Sequence, residues 1–295
     1  MRLAIRHITR FGRDDSAPYL MQRLHLRPQS GPGQTVRAWQ VTIEGGEPDL
    51  SYIDGFGNGI DLVRYSGARD EISIIAAGVV ETQDRAGVIG MTDGYAPPWI
   101  FERRSEPPEI TEQHLEMLMD DLQAESGRLD MLHTLMSRLH EMPRHAKGVE
   151  AKASDPAYDM PALFIATARQ IDIPARYVTG YLMSDTGAQR EAEIMSQSQG
   201  MGAAAGGPSA GAGSTQVQRS VAAAAGQPQS MHAWAEAFVT GLGWVGFDPL
   251  MNRCPDERYV RLAIGFGPGD TRAVTGFGAQ VLAHEVSVIP APELV

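Results

Sequence analysis

The first 88 residues consist of short apolar or β-branched runs that are separated by Gly, Pro, Asn and Asp. Runs of this length, bounded by residues that favour turns, are typical of antiparallel strands rather than of helices. Three of them, at 36–43, 59–63 and 71–75, predict individual strands. We therefore predict an N-terminal antiparallel β-sandwich-like domain over residues 1–95.

Two proline pairs, at 97–98 and 107–108, mark the end of this β region, because proline continues neither a helix nor the middle of a sheet. Two apolar stripes with helical spacing follow, and each predicts a helix that buries one face. They consist of Leu115, Leu118, Met119 and Leu122, and of Leu132, Leu135, Met136 and Leu139. We expect Pro143 to end the second helix. The fold class is therefore predicted to be α+β, with a second domain over 96–295.

Residues 184–230 are dominated by Gly, Ala, Ser and Gln, as in the run Gly-Met-Gly-Ala-Ala-Ala-Gly-Gly at 200–207. A segment of this composition buries too little apolar surface to offset the conformational entropy that ordering removes. Most of it is predicted to be a flexible loop.

Charge and composition exclude several kinds of partner. A formal net charge of −11, without basic clusters, argues against nucleic acid and against an anionic membrane surface. No apolar run is long enough to cross a bilayer, and the first residues lead into a strand rather than into an apolar signal core, so we expect a cytoplasmic protein. One cysteine in 295 residues excludes an internal disulfide.

Histidines do not indicate a metal site in this chain. His114, His133, His140 and His145 lack the i, i+4 spacing and the adjacent carboxylate of a helical zinc motif. We therefore predict neither a metal nor a cofactor.

Three segments of the C-terminal half resemble the core of bacterial transglutaminase-like proteins, which are relatives of papain-like cysteine proteases. They read Ile-Pro-Ala-Arg-Tyr-Val-Thr-Gly-Tyr-Leu at 173–182, His-Ala-Trp-Ala-Glu-Ala-Phe at 232–238 and Gly-Trp-Val-Gly-Phe-Asp-Pro at 243–249. Segments at 6–9, 26–28 and 54–58 are similar to the N-terminal β region that accompanies such cores. The resemblance implies a transglutaminase-like, papain-like core in which helices pack on an antiparallel sheet.

Cysteine catalysis of acyl transfer needs a thiolate, an imidazole that shares its proton, and a side chain that orients the imidazole. The resemblance assigns the last two roles to His232 and Asp248. His232 begins one predicted strand and Asp248 ends the next, with a turn at 241–243 between them. In a hairpin centred on Leu242 the two residues have the same parity, so both project to one face and can meet diagonally. Arg176, in the first segment, is expected to pair with an acid.

The nucleophile is missing from this constellation. The family places a cysteine at the start of the apolar helix, and that position falls on Ala157, within Asp-Pro-Ala-Tyr-Asp-Met-Pro-Ala at 155–162. Pro161 is tolerated only in the first helical turn, so the helix is expected to start at Asp159 or Met160, with Asp159 as the candidate N-cap. This remodelling favours a natural loss of the cysteine over an engineered one.

Two functions follow from the resemblance. In the first, the chain is catalytically silent and serves as a peptide- or protein-binding or assembly module. In the second, it is an amide-bond hydrolase or acyl transferase in which Ser154 or Cys254 substitutes as the nucleophile of the His232–Asp248 dyad. We favour the first. The expanded 184–230 loop could cover a cleft beside the dyad, but we favour an insertion without such a role. Neither the identity of the partner nor the oligomeric state follows from the sequence.

Overall fold

The computed structural model describes residues 1–13, 19–65, 71–91, 96–103, 118–119, 122, 125, 127–142, 159–184 and 231–291. Within them the chain forms strands β1 (Arg2–Arg13), β2 (Met21–Arg27), β3 (Gln34–Ile43), β4 (Gly46–Ile53), β5 (Gly59–Tyr65), β6 (Glu71–Thr82), β7 (Val88–Gly90), β8 (Ala175–Leu182), β9 (His232–Val239), β10 (Gly243–Phe247), β11 (Tyr259–Gly265), β12 (Val274–Phe277) and β13 (Ala279–Pro290). A 3-10 helix (Pro98–Glu102) and helices α1 (Arg128–Glu141) and α2 (Met160–Gln170) complete the described elements. None of the described helices is both long and apolar enough to cross a bilayer.

Two four-stranded antiparallel sheets, in the orders β13-β1-β6-β3 and β12-β2-β5-β4, form an N-terminal sandwich. Alternate apolar side chains of β1, β2, β5 and β6 meet between the sheets, as do Val286 and Val288 of β13. The strands predicted at 36–43, 59–63 and 71–75 fall within β3, β5 and β6. The overall α+β class with an N-terminal sandwich agrees with this architecture.

A third antiparallel sheet, in the order β11-β8-β9-β10-β7, forms the centre of the second half of the chain. Helix α2 packs on one face of it, where Phe164 and Ala168 contact the cluster that contains Ala235 and Ala237 of β9. Helix α1 packs on α2 through the predicted stripe, whose members Leu132, Leu135, Met136 and Leu139 are all buried. The helix ends at Glu141, just before Pro143. The start of α2 lies beside this sheet, because Asp159 accepts a hydrogen bond from the Tyr177 hydroxyl of β8, and Tyr177 pairs with Ala235 of β9.

The sequence predicts a domain boundary at residue 95, but in the structure strands from each side of this boundary join sheets on the other side. Strands β12 and β13 lie in the predicted second domain but complete the two sheets of the sandwich, where β13 pairs with β1 along nearly its whole length. Strand β7 lies in the predicted first domain but pairs with β10 of the core sheet. Both pairings join distant parts of the chain, and local patterns carry no information about such partners.

The sandwich contacts the core sheet along its β11 edge through two side-chain amides. Gln34 accepts a hydrogen bond from the Arg261 backbone N–H at 2.8 Å and donates one to the Arg261 carbonyl at 2.9 Å. Asn58 makes the same pair of bonds with Ile264, both at 2.7 Å. These amides take the place of a further strand and satisfy backbone groups that an edge strand otherwise leaves free.

Candidate active site

His232 and Asp248 meet at the open end of the β9–β10 hairpin. The register pairs Gly243 with Val239 and Phe247 with Ala235, so the hairpin is centred on Gly241, one position before the predicted centre. Moving the centre by one whole residue leaves the parity of residues 232 and 248 unchanged. The imidazole Nε2 of His232 therefore reaches Oδ2 of Asp248 at 2.5 Å, along the expected diagonal.

Asp248 is fully buried and both of its carboxylate oxygens are occupied. Oδ2 accepts from His232 Nε2 and, at 2.8 Å, from the Tyr259 hydroxyl. Oδ1 accepts from the backbone N–H groups of Leu250 and Met251, at 3.0 and 3.1 Å. Four donors around one carboxylate fix its orientation.

Tyr259 is a member of this site that the sequence reasoning missed. Burial raises the pKa of Tyr259, and the adjacent charge of Asp248 and the hydrogen bond to it raise the pKa further, so the hydroxyl stays protonated and donates. Tyr259 lies on β11, which neighbours β8 rather than the hairpin, and its place beside Asp248 depends on the strand order. No local sequence signal could have supplied that order.

Aromatic side chains hold the imidazole in place. The His232 ring is stacked on Trp234 with centroids 6.4 Å apart and meets the Tyr259 ring edge-on at 5.7 Å. Because Asp248 accepts the hydrogen on Nε2, Nδ1 carries the lone pair of the neutral ring. Within the described part of the chain, Nδ1 has no hydrogen-bond partner. A base held by an acid on one nitrogen, with the other nitrogen available, is competent to take a proton from a nucleophile or from water.

A buried ion pair lies further along the same face of β9. Arg176 contacts Glu236 through Nε at 2.7 Å and through Nη2 at 2.6 Å, as expected for an arginine that pairs with an acid. Burial lowers the pKa of Arg176 to about 10, although Glu236 acts to raise it. Burial acts to raise the pKa of Glu236, but Arg261 and Arg176 outweigh it and keep that pKa low.

Helix α2 begins at Met160, as predicted, and Asp159 is its N-cap. The Asp159 carboxylate accepts from the Ala162 backbone N–H at 3.0 Å and from the Tyr177 hydroxyl at 2.9 Å. Burial raises the pKa of Asp159, against the effect of both hydrogen bonds. Pro161, in the first turn, supplies no N–H. Few donors therefore remain at this helix start for an anion.

The two nucleophile positions before α2, Ala157 and Ser154, lie outside the described residues, as do residues 185–230 of the predicted loop. Cys254 is described, and it is half-buried against the core cluster beneath α2. A Cβ placed on Gly87 would come within 2.7 Å of the Cys254 Cβ, which shows how closely this thiol is packed. Burial raises the pKa of Cys254, so its thiolate is disfavoured.

Metal-ligating side chains do not converge in the described residues, where no group of three or more His, Cys, Asp or Glu is placed to hold an ion. The arrangement at His232 is instead that of a histidine–carboxylate dyad.

Two family models match the chain. Residues 3–81 match the bacterial transglutaminase-like N-terminal region, and residues 150–249 match the transglutaminase-like superfamily. Residues 232 and 248 fall within the second match, whereas Tyr259 lies beyond it. No curated protein matches the sequence significantly.

A solved structure of low sequence identity shares the fold. A protein from Cytophaga hutchinsonii, provisionally described as a cysteine protease, aligns over 100% of this chain and 92% of its own at 15% identity, with a TM-score of 0.63. The periplasmic domain of TgpA from Pseudomonas aeruginosa, bound to ethylmercury, aligns over 85% of this chain and 90% of its own at 13% identity. Its TM-score of 0.32 supports no conclusion about the fold. The two family matches identify the chain as a member of the bacterial transglutaminase-like family, with its N-terminal region at residues 3–81 and its transglutaminase-like core at 150–249.

Proposed function

We propose that this chain is a transglutaminase-like protein that has lost cysteine-nucleophile catalysis and binds a peptide or protein segment instead. The observation that carries the proposal concerns the chain's one thiol. Cys254 is packed against the core, its pKa is raised by burial, and it makes no contact with His232 among the described residues. A dyad that lacks a thiolate partner cannot form the thioester through which this family of folds transfers acyl groups.

The alternative function is an amide-bond hydrolase or acyl transferase that uses another nucleophile. The geometry of the dyad favours it, because Asp248 holds His232 in one tautomer and Nδ1 keeps its lone pair. Ser154 is the candidate nucleophile nearest in sequence to the family position. A hydroxyl has a far higher pKa than a thiol, so such a reaction would depend entirely on His232 as the base.

Covalent labelling distinguishes the two functions. The protein is treated with iodoacetamide and, separately, with a fluorophosphonate, and the labelled residue is located by mass spectrometry. We expect slow iodoacetamide labelling of Cys254 that persists in His232→Ala and is absent in Cys254→Ala. We expect no fluorophosphonate adduct in any of these proteins. A fluorophosphonate adduct on the wild-type protein that His232→Ala abolishes would establish the alternative.

A further inference from the structure

A cavity of about 260 Å³ lies between the N-terminal sandwich and the core sheet, away from the dyad. Its apolar wall includes Phe56, Met91, Phe101 and Ile264, and Phe101 belongs to the 3-10 helix. Arg176 and Arg261 are the charged side chains among its described lining residues. Neither His232 nor Asp248 contributes to it, so the cavity is a separate feature of the molecule.

The two arginines share one carboxylate. Glu236 accepts from Arg176, whose guanidinium also lies 3.9 Å from the centre of the Trp244 ring. Arg261 approaches Glu236 less closely, with 3.6 Å between its Nε and Oε1. The nearby acid Asp256 is already paired with Arg258, at 2.5 Å. Two cations and one anion leave one positive charge in excess at the cavity wall.

Of the two arginines, Arg261 has more N–H donors without a described partner. A guanidinium carries five N–H donors, and among the described residues that of Arg261 makes only the long ion pair with Glu236. Its side chain is 18% exposed, so its remaining N–H groups are accessible to solvent or to a ligand. A partly buried arginine with free, accessible N–H donors and an uncompensated charge is suited to bidentate contact with a carboxylate.

The side-chain amides of the wall already hydrogen-bond to the backbone. The amides of Gln34 and Asn58 bond to the backbone of β11, and Gln29 donates to the Arg27 carbonyl at 3.0 Å. A ligand in the cavity would therefore meet aromatic and aliphatic surface on one side and arginine N–H groups on the other. The size is informative as well, since about 150 Å³ holds a benzene ring and drug-sized ligands need about 300 Å³ or more.

We propose that this cavity binds a small organic carboxylate that carries one aromatic or branched apolar group, with its carboxylate on Arg261 and its apolar group against Phe56 and Phe101. The carboxylate supplies the anion that the cluster of two arginines and one glutamate lacks. The same chemistry is offered by a free acid and by the C-terminal residue of a peptide.

Calorimetric titration of the full chain with phenylacetate tests the proposal. We expect one site per chain, at least tenfold weaker binding of phenylacetamide, and at least tenfold weaker phenylacetate binding by Arg261→Gln. Arg64→Gln is the matched control, because Arg64 is an exposed arginine paired with an acid on the sandwich surface, and it should bind as the wild type does. No heat of binding up to about 10 mM phenylacetate, or equal binding of acid and amide, would overturn the proposal.

Two further arms complete the experiment. Thermal unfolding checks that Arg261→Gln is folded, and Phe56→Ala, in the loop between β4 and β5, replaces it as the test variant if it is not. Unchanged phenylacetate binding by the folded test variant would refute the site. A short peptide that ends in Phe with a free carboxylate is then compared with its C-terminal amide. Tighter binding of the free peptide than of phenylacetate supports the site and identifies a chain terminus as the source, whereas tighter binding of phenylacetate supports it and identifies a free acid.

Discussion

His7 is a buried histidine whose two ring nitrogens both have partners. Nδ1 lies 3.0 Å from the Tyr181 hydroxyl oxygen, and Nε2 lies 3.1 Å from Thr9 Oγ1. Burial, together with the charge of His284, lowers the pKa of His7 to about 3. Since Tyr181 belongs to β8 of the core sheet, the neutral form of His7 helps to join the sandwich to the core.

This shift makes the free energy of unfolding depend on pH. Between about pH 6.5 and pH 3 the unfolded chain binds a proton at His7 that the folded chain does not, so stability falls as pH falls through that window. The slope at this group approaches about 1.4 kcal/mol per pH unit. Urea unfolding at a series of pH values should give a shallower slope for His7→Gln than for the wild type. The residual slope includes His284, whose pKa burial also lowers.

A matched control for this prediction is His133→Gln, because His133 is a solvent-exposed histidine on α1. It should keep the pH dependence of the wild type. Equal slopes for His7→Gln and His133→Gln would contradict the assignment of the transition to His7.

At the level of single residues, the sequence predicted some partners and missed others. The contact between His232 and Asp248 followed from strand parity, because both residues belong to one hairpin. The Arg176 pair with an acid was also predicted and is confirmed by its contact with Glu236. Tyr259 was missed, because it reaches Asp248 from a strand whose place in the sheet no local pattern encodes. The identity of residue 157 as the lost nucleophile stays a prediction, because that position lies outside the described residues.

The start of helix α2 is an element that the sequence did predict, from the conformational limits of Pro161 and the capping preference of Asp159. Asp159→Ala removes the acceptor for the Ala162 N–H and the partner of the Tyr177 hydroxyl. We expect it to lower the free energy of unfolding by about 1–2 kcal/mol in urea titrations. Asp159→Asn keeps an amide oxygen at the cap and should lose less than half as much. An Asn variant as unstable as the Ala variant would show that the cap bond is not the stabilising contact.

The same helix start limits any repair of catalysis. A thiolate is stabilised by free N–H groups in the first turn of a helix. Here Pro161 has none, and the N–H of Ala162 already donates to Asp159. We therefore expect Ala157→Cys to hydrolyse p-nitroanilide peptides no faster than the wild type, with iodoacetamide labelling at residue 157 that shows an ordinary thiol pKa.

The control for this variant is the double substitution Ala157→Cys with His232→Ala. It should show the same labelling profile as Ala157→Cys alone, because the dyad is not expected to activate the new thiol. Robust amidase activity in Ala157→Cys that disappears in the double variant would mean that the site is intact apart from its sulfur.

For the whole molecule, local sequence patterns predicted the N-terminal sandwich and the core. They did not predict that the C-terminal strands β12 and β13 pair with strands of the N-terminal sandwich. The alternating pattern that buries Val286 and Val288 is typical of a β-strand. The local sequence does not indicate, however, that this strand pairs with β1 at the opposite end of the chain. The contacts between the sandwich and the core sheet could not be predicted from local sequence either. The residues Gln34 and Asn58 that join them look like ordinary turn and edge residues, and only the position of β11 shows that their amides replace a strand.

The amide contacts at β11 give a reciprocal test of this docking. Gln34→Ala removes the acceptor of the Arg261 N–H, and Asn58→Ala removes that of the Ile264 N–H, while each leaves the other bond pair in place. A backbone hydrogen bond lost from a buried edge is worth about 1 kcal/mol or more, so local opening should become at least about fivefold more frequent there. In hydrogen exchange followed by NMR, we expect Gln34→Ala to speed exchange at Arg261 but not at Ile264, and Asn58→Ala to do the reverse. Each variant is thus the control for the other. Equal acceleration at both positions in both variants would contradict this prediction. It would mean that the sandwich separates from β11 in one concerted opening, and that neither amide protects its own backbone partner independently.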